Sequence, residues 1–519
     1  MKKIINHIIL AASLMAVTGS FSSCKKFLDV NKDPNNPTQI PAHTRLIGAI
    51  TTTNGASMWR GAREVVGLTQ YAATKLTTGT NRNAETWRYT ASYFFWQNAY
   101  VFTMPNCVDL IVLGKKEQNY HFAGAGQTLL ALNLGMLADQ YGSIIASDYY
   151  DGTTQIKLQP KMDDQQTAYR YIDSLLDDAI KLFGMPNTVP LNFSGGDIMY
   201  NGDVNKWIRF AWALKARYLN HLTKKGNLYN PAAVITACNN AFNADGMDAQ
   251  FPYLAGAQQT DENPFASWGG FTDPVNPRYF TWTQFFVNIL TKFPVTETPY
   301  EDPRISKIMK PAPSDNEYRG LRSGAGLAGG QDGTGTFTNE NDYGPFSKSG
   351  YYTNATSPFP FITYSEVKLI EAEASLRSNK KAEALNTYRE GVSANMRKLG
   401  VSAGDINAYW TAQEADGLVA HFDNLTTGLS HIMRQKYITQ CLNPETWVDM
   451  RRMDYSNAIY GPSLRRPANI NSVIFDPANS SQWIRAMVYE NNEQNRNPEA
   501  VGDNSEKYRL LTPLWWDKP

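Results

Sequence analysis

Two stretches of this 519-residue chain set large aromatic rings among short polar side chains. In the first, Thr77 to Thr90, Trp87 and Tyr89 stand among Asn81, Arg82 and Asn83. In the second, Asn263 to Trp282, the rings of Trp268, Phe271, Tyr279 and Trp282 stand among Asp273, Asn276 and Arg278. Gly269-Gly270 beside Trp268 would let a ligand come close to the backbone. The chemistry such a set can do is sugar recognition. A pyranose face laid on an aromatic ring leaves water, contributing on the order of 1–2 kcal/mol per platform. Neighbouring amides, carboxylates and guanidiniums then bridge adjacent hydroxyls and fix orientation. Trp87, Tyr89, Asn81, Arg82, Trp268, Asp273, Arg278, Tyr279 and Trp282 are therefore the candidate ligand-binding residues. For any one of the rings, packing against its own loop is the competing expectation. Aromatics on helical stripes are set aside: Tyr93 to Trp96 as helix core, Trp207, Trp212 and Tyr218 as helix packing, Trp515 and Trp516 as a seal on the C-terminus.

Catalytic and metal chemistry finds less support. No segment pairs carboxylates in a recognisable glycosidase setting, and no Ser-centred elbow, HExxH or phosphate-cradling Gly loop with Lys is present. His43, His121, His221, His421 and His431 are dispersed. In Glu445-Trp447-Asp449-Arg451-Arg452, Asp449 and Arg452 are three apart on a helix and read as a structural brace. Glu366, Glu371 and Glu373 read as a solvated or hydrogen-bonding helix face. The alternation Asp29, Asn31, Asp33, Asn35 fails as a calcium loop: Pro34 holds the position that needs Gly, and Ile40 the position that needs Glu. The acidic stretch Asp332 to Asp342 offers oxygens without an ordered ligand spacing. No metal or cofactor is expected.

The chain carries 49 basic and 48 acidic residues, a net charge of +1. Such balance offers no basic face for nucleic acid and no polybasic membrane surface. At the N-terminus Lys2 and Lys3 precede an apolar run from Ile8 to Val17, then Ser22-Ser23-Cys24. This is a secretory leader, too short to span a bilayer, and a Cys directly after small residues marks a lipoprotein signal. Residues 1–23 would be removed and Cys24 lipidated. Cys107, Cys238 and Cys441 then remain, an odd set without metal spacing, read as small buried hydrophobes.

The elements that must position the loops are helices. After a tether over 24–45, amphipathic periodicity predicts helices near 46–76, 92–114, 121–140, 165–183, 203–224 and 231–243. Asn230-Pro231 reads as a cap and first turn, and Gly142 and Gly226 as exits. Residues 246–360 are loop-rich, with one helix near Thr283 to Leu290, and are expected to carry the ligand site. Helices return near 364–378, 380–399 and 428–455, and 361–519 closes the fold. Ala372, Ala374, Asn379, Ala384, Tyr388 and Gly391 fit a tetratricopeptide repeat, small residues letting paired helices approach while an aromatic fills the gap. The expected fold is mainly α, a tetratricopeptide-like repeat scaffold with long irregular loop insertions, as one domain over 46–519.

Several motifs together resemble a known family. They are Phe27-Leu28-Asp29 after the lipoprotein signal, the Asn31-to-Thr38 tract, Leu137-Ala138-Asp139-Gln140-Tyr141-Gly142, and Tyr364 through Ala374. Later come Arg434-Gln435-Lys436-Tyr437-Ile438, Glu445 through Arg452, and Arg485 with Tyr489-Glu490-Asn491-Asn492. The chain is similar to the SusD/RagB superfamily of Bacteroidetes outer-membrane lipoproteins, in the SusD-like, starch-binding branch. Phe21 in the lipobox and a C-terminus lacking the usual Tyr-Pro step depart from the pattern. The resemblance implies a four-repeat scaffold whose early and middle loops carry a glycan site. It also implies a surface lipoprotein that captures oligosaccharide and delivers it to a SusC-like TonB-dependent transporter, without catalysis. A helical glycoside hydrolase and a scaffold or peptide-binding lipoprotein are the alternatives; release of reducing ends would mark the first, absence of glycan binding the second.

Overall fold

The computed structural model describes residues 40–78, 84–88, 93–153, 155–157, 159–254, 256, 261–267, 280–346 and 348–519. The leader, Cys24 and most of the tether lie outside these. Helix α1 (Ala42–Thr52) runs through a π-helical segment, Thr53–Met58, into α2 (Trp59–Val65). Helix α3 (Tyr93–Asn98) likewise passes through Ala99–Thr103 into α4 (Met104–Lys116). The two widened segments pack on each other, with Ser57 Oγ 3.1 Å from Thr103 Oγ1. The first helical stretch therefore ends earlier than its periodicity predicts. Past Val65 the chain turns, Gln70 takes a φ of +58°, and Ala72–Thr74 forms strand β1.

Helix α5 (Tyr120–Tyr141) is buried along nearly its whole circumference, as a helix apolar all round must be. It packs against α4, α6 (Gln165–Phe183) and α7 (Val204–His221). Asp164 caps α6 by accepting from Thr167 N at 2.7 Å, and Asn230 caps α8 (Pro231–Asn240) by accepting from Ala232 N and Ala233 N. Helix α10 (Tyr364–Arg377), which follows α9 (Gln284–Thr291), stacks on α7 and α8 and pairs with α11 (Lys381–Lys398). The repeat signature sits here as read. Asn379 turns between the helices at φ +58°, and Ala372, Ala384 and Tyr388 are fully buried. A Cβ on Gly391 would meet Leu369 Cγ at 2.9 Å and Ser365 O at 3.1 Å. Gly391→Val is thus expected to part the two helices and lower unfolding free energy by about 1–3 kcal/mol; an unchanged urea midpoint would contradict this contact.

Helices α12 (Ala403–Ala415), α13 (Leu425–Thr439) and α14 (Glu445–Arg452) complete the array. The stretch 428–455 is two helices, because Leu442 at φ +62° and Pro444 interrupt it. Helix α12 has no counterpart in the periodicity, since only Tyr409 and Gln413 are buried on it; its signal is Ser402, whose hydroxyl caps Asp405 N at 3.1 Å. The architecture is mainly helical. Among the described residues the sheets are two ribbons: β1 with β3 (Phe280–Trp282), and β2 (Ala249–Phe251) with β4 (Phe359–Ile362), both antiparallel. Among the described residues no helix is long and apolar enough to cross a membrane.

A buried ionic seam joins α5, α7, α10, α13 and α14. Arg452 bonds both carboxylate oxygens of Glu373 at 2.9 Å and also pairs with Asp449, whose other oxygen lies 2.8 Å from Lys436. Arg217 grips Glu366 at 2.8 and 2.9 Å. The Asp449–Arg452 brace holds as read. Glu366 and Glu373 are not solvated: both are buried, and they hydrogen-bond. Most of the shared motifs meet in this seam, so their spacing encodes scaffold. Cys107, Cys238 and Cys441 are buried free thiols.

Candidate ligand-binding cleft

The ribbon β1–β3 sets the start of the early loop beside the end of the middle one. Thr74 pairs with Phe280 and Ala72 with Trp282, so the early loop leaves where the middle loop arrives. Glu85 folds the early loop back by accepting from Thr74 N at 3.0 Å and from Gly324 N. The Gly-rich stretch then closes on it: Leu327 N donates to Lys75 O at 3.0 Å, and Asn471 N to Thr86 O at 2.9 Å. Gly324 sits at φ +75° with Ala468 O 2.0 Å from where a Cβ would be, so only glycine passes. The early loop, the Gly-rich loop and the segment 465–475 form one seam.

Trp87 and Trp282 are corrections to the expected platforms. Each is only 1% exposed, its faces taken by other rings. Trp282 stacks on Phe346 with centroids 4.1 Å apart. Trp87, held at φ +59°, packs on Phe475 at 4.8 Å and Trp483 at 5.4 Å. Sealing each ring in the core removes more of it from water than a one-sided sugar contact could. Asn81, Arg82, Tyr89, Trp268, Asp273, Arg278 and Tyr279 lie outside the described residues. Of the aromatics set aside, Phe95, Trp96, Trp207, Tyr218 and Trp516 are buried, and Trp212 and Trp515 pack against the core.

Beside Trp87 opens a cleft of about 740 Å³, within the range of small-molecule sites. Its wall begins where α14 ends. Asp454 and Tyr455 both adopt φ +51°, a left-handed pair costing about 1–2 kcal/mol per residue. That turn aims Tyr455 inward, where its hydroxyl accepts from Trp447 Nε1 and donates to Ile484 O, both at 2.9 Å. Trp483 stacks on Tyr455 at 4.2 Å, with ring planes 10° apart. Trp87, Trp483 and Tyr455 therefore form a column. Around it the cleft is lined by Asn457, Gln482, Ser480, Ser481, Arg465, Arg466 and Arg485. Its one lining carboxylate among the described residues, Asp454, accepts from Arg485 at 2.8 Å and Lys224 at 2.7 Å. The sequence reading missed this cleft, which is built from segments taken as closing loops; the visible signal was Arg465-Arg466 beside the polar run 479–482.

Two other sets of side chains carry ligand-type oxygens or nitrogens. Asp139, His221 and Glu445, distant in sequence, bring metal-type donor atoms within 4.8 Å of one another. They are already matched as acid and base. His221 Nε2 lies 2.6 Å from Glu445, its Nδ1 lies 2.9 Å from the Tyr169 hydroxyl that donates to Asp139, and Arg217 stands 3.7 Å from Glu445. Burial alone would pull His221 down, but Glu445 and Asp139 together push it up to about 9. The cavity beside them holds about 10 Å³, room for a water at most. In the 332–342 stretch, Asp332 accepts from Thr334 N and Thr336 Oγ1, Asp342 from Asn339 N, and Glu340 pairs with Lys75.

Residues 34–474 match the model of the SusD-like family described as starch-binding and associating with the outer membrane. The chain belongs to this family. Solved structures share its fold. A SusD/RagB family protein from Bacteroides thetaiotaomicron is 21% identical, with a TM-score of 0.67 over 92% of this chain and 99% of that one. A SusD-like protein of Bacteroidetes is 20% identical, with a TM-score of 0.72 over 92% and 100%. A chitin-binding SusD homolog from Flavobacterium johnsoniae is 18% identical, with a TM-score of 0.68 over 92% and 98%. Comparison with curated proteins returned no match.

Proposed function

We propose that this chain is a surface glycan-capture lipoprotein, anchored in the outer membrane through lipidated Cys24. It holds an oligosaccharide in the Trp483 cleft and passes it uncleaved to a SusC-like TonB-dependent transporter. The observation that carries the reading is the cleft itself, a half-polar groove of ligand size mounted on a rigid helical scaffold. Family membership supports the ligand class and the membrane association. Among the described residues, the chemistry of the cleft wall supports retention without cleavage. Glycoside hydrolysis needs a proton-donating carboxyl and a second carboxylate across the bond. Asp454 is bound instead between two cations.

The early-loop residues Asn81, Arg82 and Tyr89 and the middle-loop residues Trp268, Asp273, Arg278 and Tyr279 complete the site in this reading. Their support is that Trp87, two positions before Tyr89, packs on the cleft wall, and that the early loop leaves the ribbon at which the middle loop ends. Affinity electrophoresis through gels containing a panel of polysaccharides tests the proposal. The wild-type protein should be retarded by at least one. Asn457→Leu/Ser480→Leu, which fills the cleft from exposed positions, should lose that retardation by roughly tenfold or more in affinity at an unchanged melting temperature. Retardation undiminished in the variant would place the ligand elsewhere.

A further inference from the structure

The cleft is electrically lopsided. On the Trp483 side every charge is answered: Arg485 and Lys224 face Asp454 and Asp517, with N–O distances of 2.7 to 2.9 Å. The same lining also carries Arg465 and Arg466, and Arg322 is bonded to the Arg466 backbone. None of these three forms an ion pair among the described residues. Their hydrogen bonds go to backbone carbonyls. Arg466 donates to Asp476 O at 2.9 Å and Pro477 O at 2.6 Å, Arg465 to Pro462 O at 3.4 Å, and Arg322 to Arg466 O at 2.6 Å. Asp476 acts on Arg466 only from beyond ion-pair distance, and its Oδ1 already accepts from Ala478 N. The crowding registers in Arg322, which burial and then Arg465 push down to about 10.

Carbonyl bonds fix a guanidinium's position without neutralising it, and each of these forks keeps N–H donors to spare. A neutral sugar would leave that positive edge uncompensated in a concave site, where the field is focused. We infer that the ligand of this cleft is an acidic oligosaccharide, whose carboxylate or sulfate groups seat on the Arg465–Arg466 edge. This rests on the glycan-capture reading and names its ligand class.

Titration calorimetry on the mature protein tests it with three probes: an oligogalacturonate, its carboxyl-reduced neutral counterpart, and a sulfated galactan oligosaccharide. At least one anionic probe should bind about tenfold or more tighter than the neutral one and weaken as salt rises. Which anionic probe wins tells carboxylate from sulfate. Arg465→Gln/Arg466→Gln should erase the anionic advantage and its salt dependence while thermal unfolding stays as in wild type. Equal binding of neutral and anionic probes overturns the charge inference and leaves glycan capture standing. Anionic binding that survives the double substitution overturns the assignment to this edge. If none of these probes binds and the polysaccharide panel also fails to retard the protein, both readings fall.

Discussion

Arg452→Leu is expected to lower the free energy of unfolding by about 3–5 kcal/mol, the cost of leaving a buried ion without its partner. Arg452 is 3% exposed and serves five acceptors: both oxygens of Glu373, Asp449, Asn220 O and Thr223 Oγ1. Its removal leaves Glu373, fully buried, to Arg377 and Asn220 alone. Although burial opposes ionisation of Glu373, Arg452 and Arg377 outweigh it and hold the carboxyl well below the usual range. Urea unfolding of wild type and variant measures the loss. Because α7, α10 and α14 meet at this residue, a variant as stable as wild type would mean that the seam does not brace the array.

The second large effect is a pH dependence centred on His221. Its folded value of about 9 lies above the unfolded value near 6.5. A group raised on folding contributes stability that is complete below the unfolded value and is lost as pH climbs through the folded one. The window is therefore pH 6.5 to about 9, and the contribution is on the order of 3 kcal/mol. Glu445, Asp139, Tyr169 and Arg217 surround the ring, and the carboxylates dominate. His221→Gln should be less stable than wild type at pH 6.5 and should show a flatter profile up to pH 9. Parallel profiles would mean the imidazole is neutral in the folded protein.

Local rules carried the scaffold well. The cap of Asn230 on Pro231, the left-handed turn at Asn379 and the close approach at Gly391 each depend on residues within one turn or one hairpin. The stripe Tyr169, Ile172, Leu175, Leu176, Ala179 marks α6, whose ends fall at Gln165 and Phe183. What was not legible depends on partners far along the chain. Trp87 and Trp282 sit in polar loops, and nothing near them announces Phe475, Trp483 or Phe346 as their seats. The histidines read as dispersed, yet His221 meets Asp139 and Glu445, and His421 stacks on His431 at 5.1 Å. The cleft was hidden for the same reason: the strained turn at Asp454-Tyr455, and the lack of an ion pair at Arg465 and Arg466 among the described residues, exist only once α14 and the C-terminal segment are folded together. The π-helical segments leave the 3.6-residue period too little disturbed to be seen.

A crystal structure of the protein with a retained oligosaccharide bears most directly on glycan capture. Intact sugar rings lying in the cleft between Trp483 and Arg465, in contact with Asn457 or Ser480, are the predicted result. Sugar bound only away from these residues, or present only as cleavage products, would contradict it.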